Sequence, residues 1–527
     1  MRQNYWLVFA KAILKNWNKL ALTDYYLLED GFTQDTSRGE KFTYCEMCCE
    51  IFRLHSLFRD LGLKRGDHVA VCGNNSAHWI IAYLSVVSYQ GIVVTVLPTQ
   101  SIDDIAHQLS FSDTKALFAT PDLWKELKKQ SLSKIKHVLS LNDWSVMYSV
   151  AAQCANIHVA AIKRSQSIIS LLPKLLQLYF SFSRKKTDEL SVICFTSGST
   201  GEAKGVMVAH RVYPVGGALL QSRLPAPKDN RNVMAYLPFG HVFGLVDVNS
   251  ALYSGSHVFI LNSSFINPSS LIKVMMQIRP YRIMLIPMIV DGFIAKRNEG
   301  VLKKCVDFLR YGIAGGALIS PQTIEKLLEW KFPLTIGYGQ TEASPLISIS
   351  SPWKYKNGSC GQVIGGCNVH IAHNGEILVK GENVMLGYYK DPEATARKID
   401  KDGWLHTGDK GHLDEDGYLY VEGRLEQDII VLPNGENIHP EDIERKINAL
   451  PEVKESIVLA RDGKLVAIVV PQITNDQSPM TNTDLRRIIL RNVNPSLPLF
   501  SQLYDVEITD VPLQKTEKQT LKRYLYK

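Results

Sequence analysis

Apolar residues first recur at helical spacing near the start of the chain, at Trp6, Phe9, Ala10, Ile13, Leu14 and Trp17, with Lys11 and Lys15 among them. The spacing predicts an amphipathic helix docked on the first domain. The two lysines, and the lack of a small-residue cleavage site behind them, argue against a targeting signal. From Thr43 the pattern alternates. A helix runs to about Leu61 and stops at Gly62, residues 67–72 make a short buried strand, 77–89 a helix and 91–97 a β-branched strand. Further strand-like runs lie at 116–120, 192–195, 258–261 and 283–287, each near a helical pattern. Strands alternating with helices predict an α/β protein with mainly parallel sheets.

One amphipathic stretch stands apart. Between Lys163 and Lys186, the residues Ile168, Leu171, Leu172, Leu175, Leu176, Tyr179 and Phe180 share a helical face opposite Ser167, Ser170, Lys174, Gln177 and Ser181, and Pro173 interrupts the pattern. Two readings compete: a helix packed on its own domain, which is favoured, and a membrane-surface helix at 168–180 that recruits a lipid substrate. No run of about 18 apolar residues predicts a membrane span.

Length and composition narrow the class. A chain of 527 residues exceeds what one core usually serves, so two or more packed units are expected. With 45% hydrophobic and 21% charged residues it reads as globular and soluble. A formal charge of +7 is too diffuse for nucleic-acid binding but suits anionic small substrates. The nine cysteines follow no regular framework, and Cys45, Cys48 and Cys49 lack a second pair at zinc spacing. They read as reduced thiols on a helix, in a reducing compartment such as the cytoplasm.

The first candidate chemistry is Thr196-Ser-Gly-Ser-Thr-Gly-Glu-Ala-Lys-Gly205, directly after an apolar strand-like run. Gly198, Gly201 and Gly205 permit close backbone approach, Thr196, Ser197, Ser199 and Thr200 supply hydroxyls, and Lys204 supplies a positive charge. That set suits a polyphosphate, although a surface turn has the same composition and the spacing is not that of a Walker loop.

Its companions decide the matter. Downstream stand Leu237-Pro-Phe-Gly-His241, Gly315-Gly-Ala317, Gly337-Tyr-Gly-Gln-Thr-Glu342, Asp402-Gly-Trp-Leu-His-Thr-Gly-Asp409, Gly423-Arg424 and Asn434-Gly-Glu-Asn-Ile-His-Pro-Glu-Asp-Ile-Glu444. In that order the motifs resemble the adenylate-forming superfamily of acyl-CoA synthetases, peptide-synthetase adenylation domains and luciferases. The resemblance runs from about Thr43 almost to the C-terminus. It implies an α/β fold: a large N-terminal domain of layered sheets and helices (1–426) and a smaller, mobile α+β C-terminal domain (427–527).

The resemblance also implies the chemistry. A carboxylate attacks the α-phosphate of ATP, pyrophosphate leaves, and the acyl-adenylate then meets the thiol of coenzyme A. Thr196, Ser197, Gly198, Ser199, Thr200, Gly201 and Lys204 are the expected triphosphate cradle, Thr341 an α-phosphate contact, and Glu342 with Thr196 the magnesium ligands. Gly315, Gly316, Ala317, Tyr338 and Gly339 are expected beside the adenine, Asp409 on the ribose hydroxyls, and Arg424 on ribose or phosphate. His241 falls between nucleotide and acyl sites; without the resemblance it reads equally well as a core histidine.

After Arg424 the resemblance implies a hinge, here Gln427 or Asp428, and a rotation of the small domain between an adenylating and a thioester-forming pose. The loop with Gly435 and Glu436 is expected to line the pantetheine tunnel in the second pose, while by itself Asn434-Gly435 reads as a hairpin turn. The adenylating lysine falls on Lys518, ahead of Lys515 and Lys522, because ungapped matching of Thr516 and Arg523 puts Thr520 where the lysine belongs. A solvated lysine-rich tail is the plain alternative. The motif wording looks most like fatty acyl-CoA synthetases of medium or long chain. The small residues Gly216 and Gly217, on the helix expected at 213–221, are placed by the resemblance to leave room for an acyl chain. A carrier-protein or aryl-acid ligase of the same superfamily, and a degenerate nucleotide- or acyl-binding protein without turnover, stay open as alternatives.

Overall fold

The first helix of the body, Tyr44–Asp60, is set by its ends. Thr43 Oγ1 accepts the Glu46 N–H at 3.2 Å while the Glu46 carboxylate accepts the Thr43 N–H at 2.8 Å, a capping box, and Gly62 stops the helix in the left-handed region at φ +70°. The next helix, Ala77–Tyr89, is apolar almost all round because it packs against strands of two different sheets. In this computed structural model the described residues are 5–26, 40–150, 173, 175, 188–196, 203–262, 267–295, 299–316, 319, 321–344, 346–425, 430–472, 481–514 and 523–526. Outside them lie the cradle residues Ser197, Gly198, Ser199, Thr200 and Gly201, together with Ala317, the hinge candidates Gln427 and Asp428, the lysines 515, 518 and 522, and nearly all of the 168–180 stretch.

Among the described residues the large domain carries three sheets. One has nine strands, with the parallel core Leu334–Tyr338, Tyr311–Ala314, Arg282–Leu285, Asn232–Ala235, His257–Asn262 and Leu20–Tyr26. A second has eight, with Leu190–Thr196, Ile92–Val96, His68–Cys72, Ala116–Ala119 and His137–Ser140 in parallel. The third is antiparallel: Cys367–Ile371, Glu376–Gly381, Leu405–Leu413 and Leu419–Arg424. The fold class is thus α/β, with a large N-terminal and a smaller C-terminal domain.

Two sequence expectations shift. The N-terminal helix, Tyr5–Lys15, buries Phe9 and Ile13, but Leu14 is 43% exposed, one position off the buried stripe. The run expected as a strand to residue 287 pairs only over Arg282–Leu285, and Pro287 opens a new helix, Pro287–Ala295, where its fixed φ and missing N–H cost nothing.

The small domain has its own core. Ile443, Ile447, Val458, Leu465, Ala467, Val469, Leu485 and Ile489 pack together between helices Pro440–Asn448 and Asn482–Val493 and the strands Val453–Arg461, Lys464–Pro471 and Leu503–Ile508. Within it Arg523 pairs bidentately with Glu444, Nη1 to Oε1 and Nη2 to Oε2 at 2.7 Å, both side chains 6% exposed, and Glu444 also accepts the Val458 N–H at 2.6 Å. No helix among the described residues is long and apolar enough to cross a membrane.

Candidate active site

Parallel sheets gather chemistry at the C-terminal ends of their strands. Thr196 ends its strand, Gly315 and Gly316 follow Tyr311–Ala314, and Tyr338 and Gly339 end and follow Leu334–Tyr338. A cavity of about 370 Å³ opens there. It collects Thr196, Lys204, His241, Gly315, Gly316, Tyr338, Gly339, Thr341, Glu342 and Gly435, ten of the residues singled out from sequence.

The charged groups are held by identifiable bonds. Glu342 lies in the short 3-10 turn Thr341–Ala343, and its Oε1 accepts the Tyr388 hydroxyl at 2.8 Å. Lys204 stands with Nζ 5.3 Å from the centre of the Tyr388 ring, within cation–π range. Burial and the adjacent Glu342 push the Tyr388 phenol far up, so it stays protonated and keeps donating. Sequence reading missed Tyr388. Its only local signal, an aromatic pair after Gly387, is weak; its place depends on the antiparallel pairing of Gly387–Tyr388 with Met207 and Val206.

His241 caps the helix Val242–Tyr253, its Nδ1 accepting the Phe243 N–H at 3.2 Å. That bond assigns the ring proton to Nε2. The side chain is exposed within the cavity, and desolvation by the surrounding walls lowers its pKa, so the neutral form is favoured.

Asp409 lies behind Tyr338. It is buried, and its Oδ2 accepts the Tyr338 hydroxyl at 2.6 Å, so Tyr338 borders the cavity with its ring and holds a carboxylate with its hydroxyl, a pairing absent from the sequence reading. Arg424 pairs directly opposite Asp409 in the antiparallel ladder.

The cavity also has apolar lining from Gly216, Leu220, Val242, Val246, Met284, Ile313, Leu346 and Ile349. The two expected small residues separate here. Gly216 lines the cavity, whereas a Cβ on Gly217 would come within 2.5 Å of the Tyr253 ring, so Gly217 serves helix packing.

The small domain roofs the site. The Met288 N–H donates to the Pro433 carbonyl at 2.8 Å, and Gly435, Asn437 and His439 line the cavity. Gly316 and Gly435 face one another with φ +90° and +86°; a Cβ on Gly435 would stand 3.7 Å from the Gly316 carbonyl carbon. Glu436 sits beside this contact, outside the cavity lining, and burial raises its carboxyl pKa.

Chemically, the polar lining offers three cations, Lys204, Arg397 and Lys398, the last two missed by sequence reading, with hydroxyls, two imidazoles and one carboxylate, Glu342. A lone carboxylate fits magnesium, which keeps several waters and completes its shell with substrate phosphates; among the described residues no cluster of three acidic, His or Cys side chains forms a protein cage.

Comparison with known proteins agrees with this geometry. The AMP-binding enzyme family model matches residues 10–389, and that of the AMP-binding enzyme C-terminal domain matches 427–526. The chain is 31% identical to a 3-[(3aS,4S,7aS)-7a-methyl-1,5-dioxo-octahydro-1H-inden-4-yl]propanoyl:CoA ligase of Rhodococcus jostii (strain RHA1), over 77% of this chain and 80% of that one. It is 28% identical to a long-chain-fatty-acid–CoA ligase of Bacillus subtilis (strain 168), over 80% and 78%. Among solved structures, o-succinylbenzoate CoA synthetase (MenE) of Bacillus subtilis, bound with its product analogue OSB-NCoA, superposes with TM-score 0.76 at 20% identity, covering 100% of this chain and 98% of that one. The same enzyme with the acyl-adenylate OSB-AMP gives 0.64 at 21% identity and the same coverage.

Proposed function

This chain belongs to the family of AMP-binding, adenylate-forming enzymes, and from that premise we propose that it joins a fatty acid of medium or long chain to coenzyme A, consuming ATP, through an acyl-adenylate. The observation that supports this reading is one cavity lined both by phosphate-suited polar groups, His241 among them, and by aliphatic side chains.

In the first step an acid carboxylate oxygen bonds to the α-phosphorus and pyrophosphate departs. Lys204 and the hydroxyls of Thr196 and Thr341 offset charge on the phosphates, with the loop 197–201 completing the cradle. Glu342, steadied by Tyr388, and Thr196 hold magnesium, which supplies further charge neutralisation when bound. Neutral His241 offers its Nε2–H to the acyl carboxyl group without adding a competing charge. Gly315, Gly316, Ala317, Tyr338 and Gly339 border the adenine, and Asp409 with Arg424 takes the ribose. In the second step the coenzyme A sulfur bonds to the acyl carbon and AMP leaves.

The docked loop Asn434–Asn437 supports reading this arrangement as the thioester-forming pose, and the closer superposition on the product-analogue complex than on the adenylate complex points the same way. Adenylation then requires the small domain, from residue 427, to rotate about Gln427 or Asp428 and bring Lys518 to the cavity.

The test measures acid-dependent pyrophosphate release over fatty and aromatic acids, followed by thioester formation with coenzyme A or an acyl-carrier protein. Fatty acids with coenzyme A are expected to lead. Preference for an aromatic acid or a carrier protein would replace the substrate reading, and no pyrophosphate release with any acid would make the protein a binder without turnover. Lys518→Ala is expected to abolish pyrophosphate release while sparing thioester formation from supplied acyl-adenylate; equal release by wild type and variant would remove Lys518 from its role.

A further inference from the structure

The strand and the helix that give the cavity apolar lining also carry a buried ion pair, one step beyond the lining residues. Met284 lines the cavity, and Arg282, two positions earlier on the same strand, shares its face. Phe243 and Val246 line it from the helix Val242–Tyr253, and Asp247 and Ser250 follow them at a spacing of four on the same side. The site lies at the C-terminal ends of the strands and at the helix N-terminus, where His241 is the cap. Arg282 at the start of its strand, and Asp247 and Ser250 farther along the helix, are therefore deeper than the residues they follow. There Arg282 Nη2 donates to Asp247 Oδ1 at 2.8 Å, to the Asp247 carbonyl at 3.0 Å and to Ser250 Oγ at 3.0 Å. Arg282 is 2% exposed and Asp247 3%. To the side, the Tyr253 ring occupies the space over Gly217.

An ion pair here is no gift to stability. Replacing such a buried pair by apolar side chains of similar bulk is often neutral or stabilising, and Arg282 Nε has no hydrogen-bond partner among the described residues. What the pair does add is a hard polar end to an apolar pocket. A growing alkyl chain cannot pass without separating two buried charges, and its terminal methyl gains little by resting on them.

We infer that the Asp247–Arg282 pair is the floor of the acyl pocket and limits the acid to medium chain length. This rests on the fatty-acid ligase reading above and narrows it: the last methylenes of a long chain have no apolar space to enter.

The experiment compares kcat/KM for pyrophosphate release with hexanoate, decanoate and hexadecanoate in wild type and two paired variants. D247A/R282A removes the floor, and D247L/R282M keeps its bulk without charge; melting curves confirm that each is folded. Wild type is expected to use hexadecanoate at least about tenfold less well than decanoate. D247A/R282A should reverse that order, and D247L/R282M, whose apolar side chains hold no charge to separate, should relax it. Equal use of decanoate and hexadecanoate by wild type overturns the inference whether or not either variant folds. So does a folded D247A/R282A, or a folded D247L/R282M, that discriminates against hexadecanoate as strongly as wild type. Failure to release pyrophosphate with any acid would instead sink the ligase reading, and this inference with it.

Discussion

The two domains hold their shares of the site by different means. In the large domain each polar group is fastened by a specific bond to a neighbouring element: Glu342 by Tyr388, Asp409 by Tyr338, and His241 by the helix it caps. Those elements rest on a continuous core that spans both large sheets. Among the described residues the small domain reaches the cavity with Gly435, Asn437 and His439, and meets the large domain through the Met288 N–H to Pro433 carbonyl bond and two glycines back to back. Its own integrity comes from a separate core and the Arg523–Glu444 pair. The difference teaches that the large domain fixes the geometry of the chemistry, while the small domain is a self-contained body with its own core. That suits the change of pose proposed above.

The strongest way to break this comparison is to attack the small domain from inside. Arg523→Ala leaves Glu444 buried without its partner, and losing one member of such a pair costs about 3–5 kcal/mol. Calorimetry should show the small-domain transition falling while the large-domain transition holds. One transition moving as a whole would mean that the two bodies unfold together.

A nearly equal effect is expected at the fixed end. Glu342→Gln keeps a hydrogen-bond acceptor for Tyr388 but removes the charge assigned to magnesium, so adenylation should drop on the order of 10²–10³-fold, about 3–4 kcal/mol in barrier. Chelating magnesium should bring wild type down to a similar level and leave the variant little changed. A variant as responsive to magnesium as wild type would take Glu342 out of the metal site.

Acid should find the large domain through His55. Burial pushes its pKa down to about 4, against the opposing effect of its bond to the Ser85 carbonyl. The folded state thus binds this proton less readily than the unfolded state, whose histidine titrates near 6.5. The associated stability is complete above pH 6.5 and is lost as pH falls toward 4, reaching about 3 kcal/mol. Equilibrium unfolding across that range, in wild type and His55→Gln, checks the sign: the variant's profile should be flatter. An identical slope would assign the acid sensitivity elsewhere.

What could be read from sequence follows the same division. The helix expected at 77–89 forms over Ala77–Tyr89 because its signals are local: an N-cap serine and an unbroken apolar run. Lys204 could be named because the composition of its Gly/Ser/Thr motif already suits a phosphate, whereas Thr341, Glu342 and His241 could be named only through the resemblance that the ordered motifs carry. Tyr388, which bonds Glu342 and lies near Lys204, stayed hidden because its position is created by strand pairing across about 180 residues of chain. The Asp247–Arg282 pair stayed hidden for the same reason: each residue alone looks like an ordinary surface charge, and only the packing of a helix on a strand buries both. Arg523 was legible as a landmark for aligning the lysine, but its work as the anchor of the small domain required knowing what Glu444 faces.

The smallest expected effect sharpens the comparison most. Gly435→Val adds a branched side chain at φ +86°, where such residues are strained, and points its Cβ at the Gly316 backbone 3.7 Å away. Nothing in the large domain's fastened groups depends on that spacing, so acid-dependent pyrophosphate release should stay within about twofold of wild type, since that step uses the other pose. The docked pose pays for the extra atoms, and thioester formation should fall about 10–100-fold, the equivalent of 1.4–2.7 kcal/mol. Single-turnover measurement of each half-reaction separates the two outcomes. If both steps fall together, Gly435 matters to the fold of its loop and not to docking, and the contact between the glycines loses its place in the cycle. If only the second falls, the small domain is acting as the removable wall of a site whose chemistry is built elsewhere.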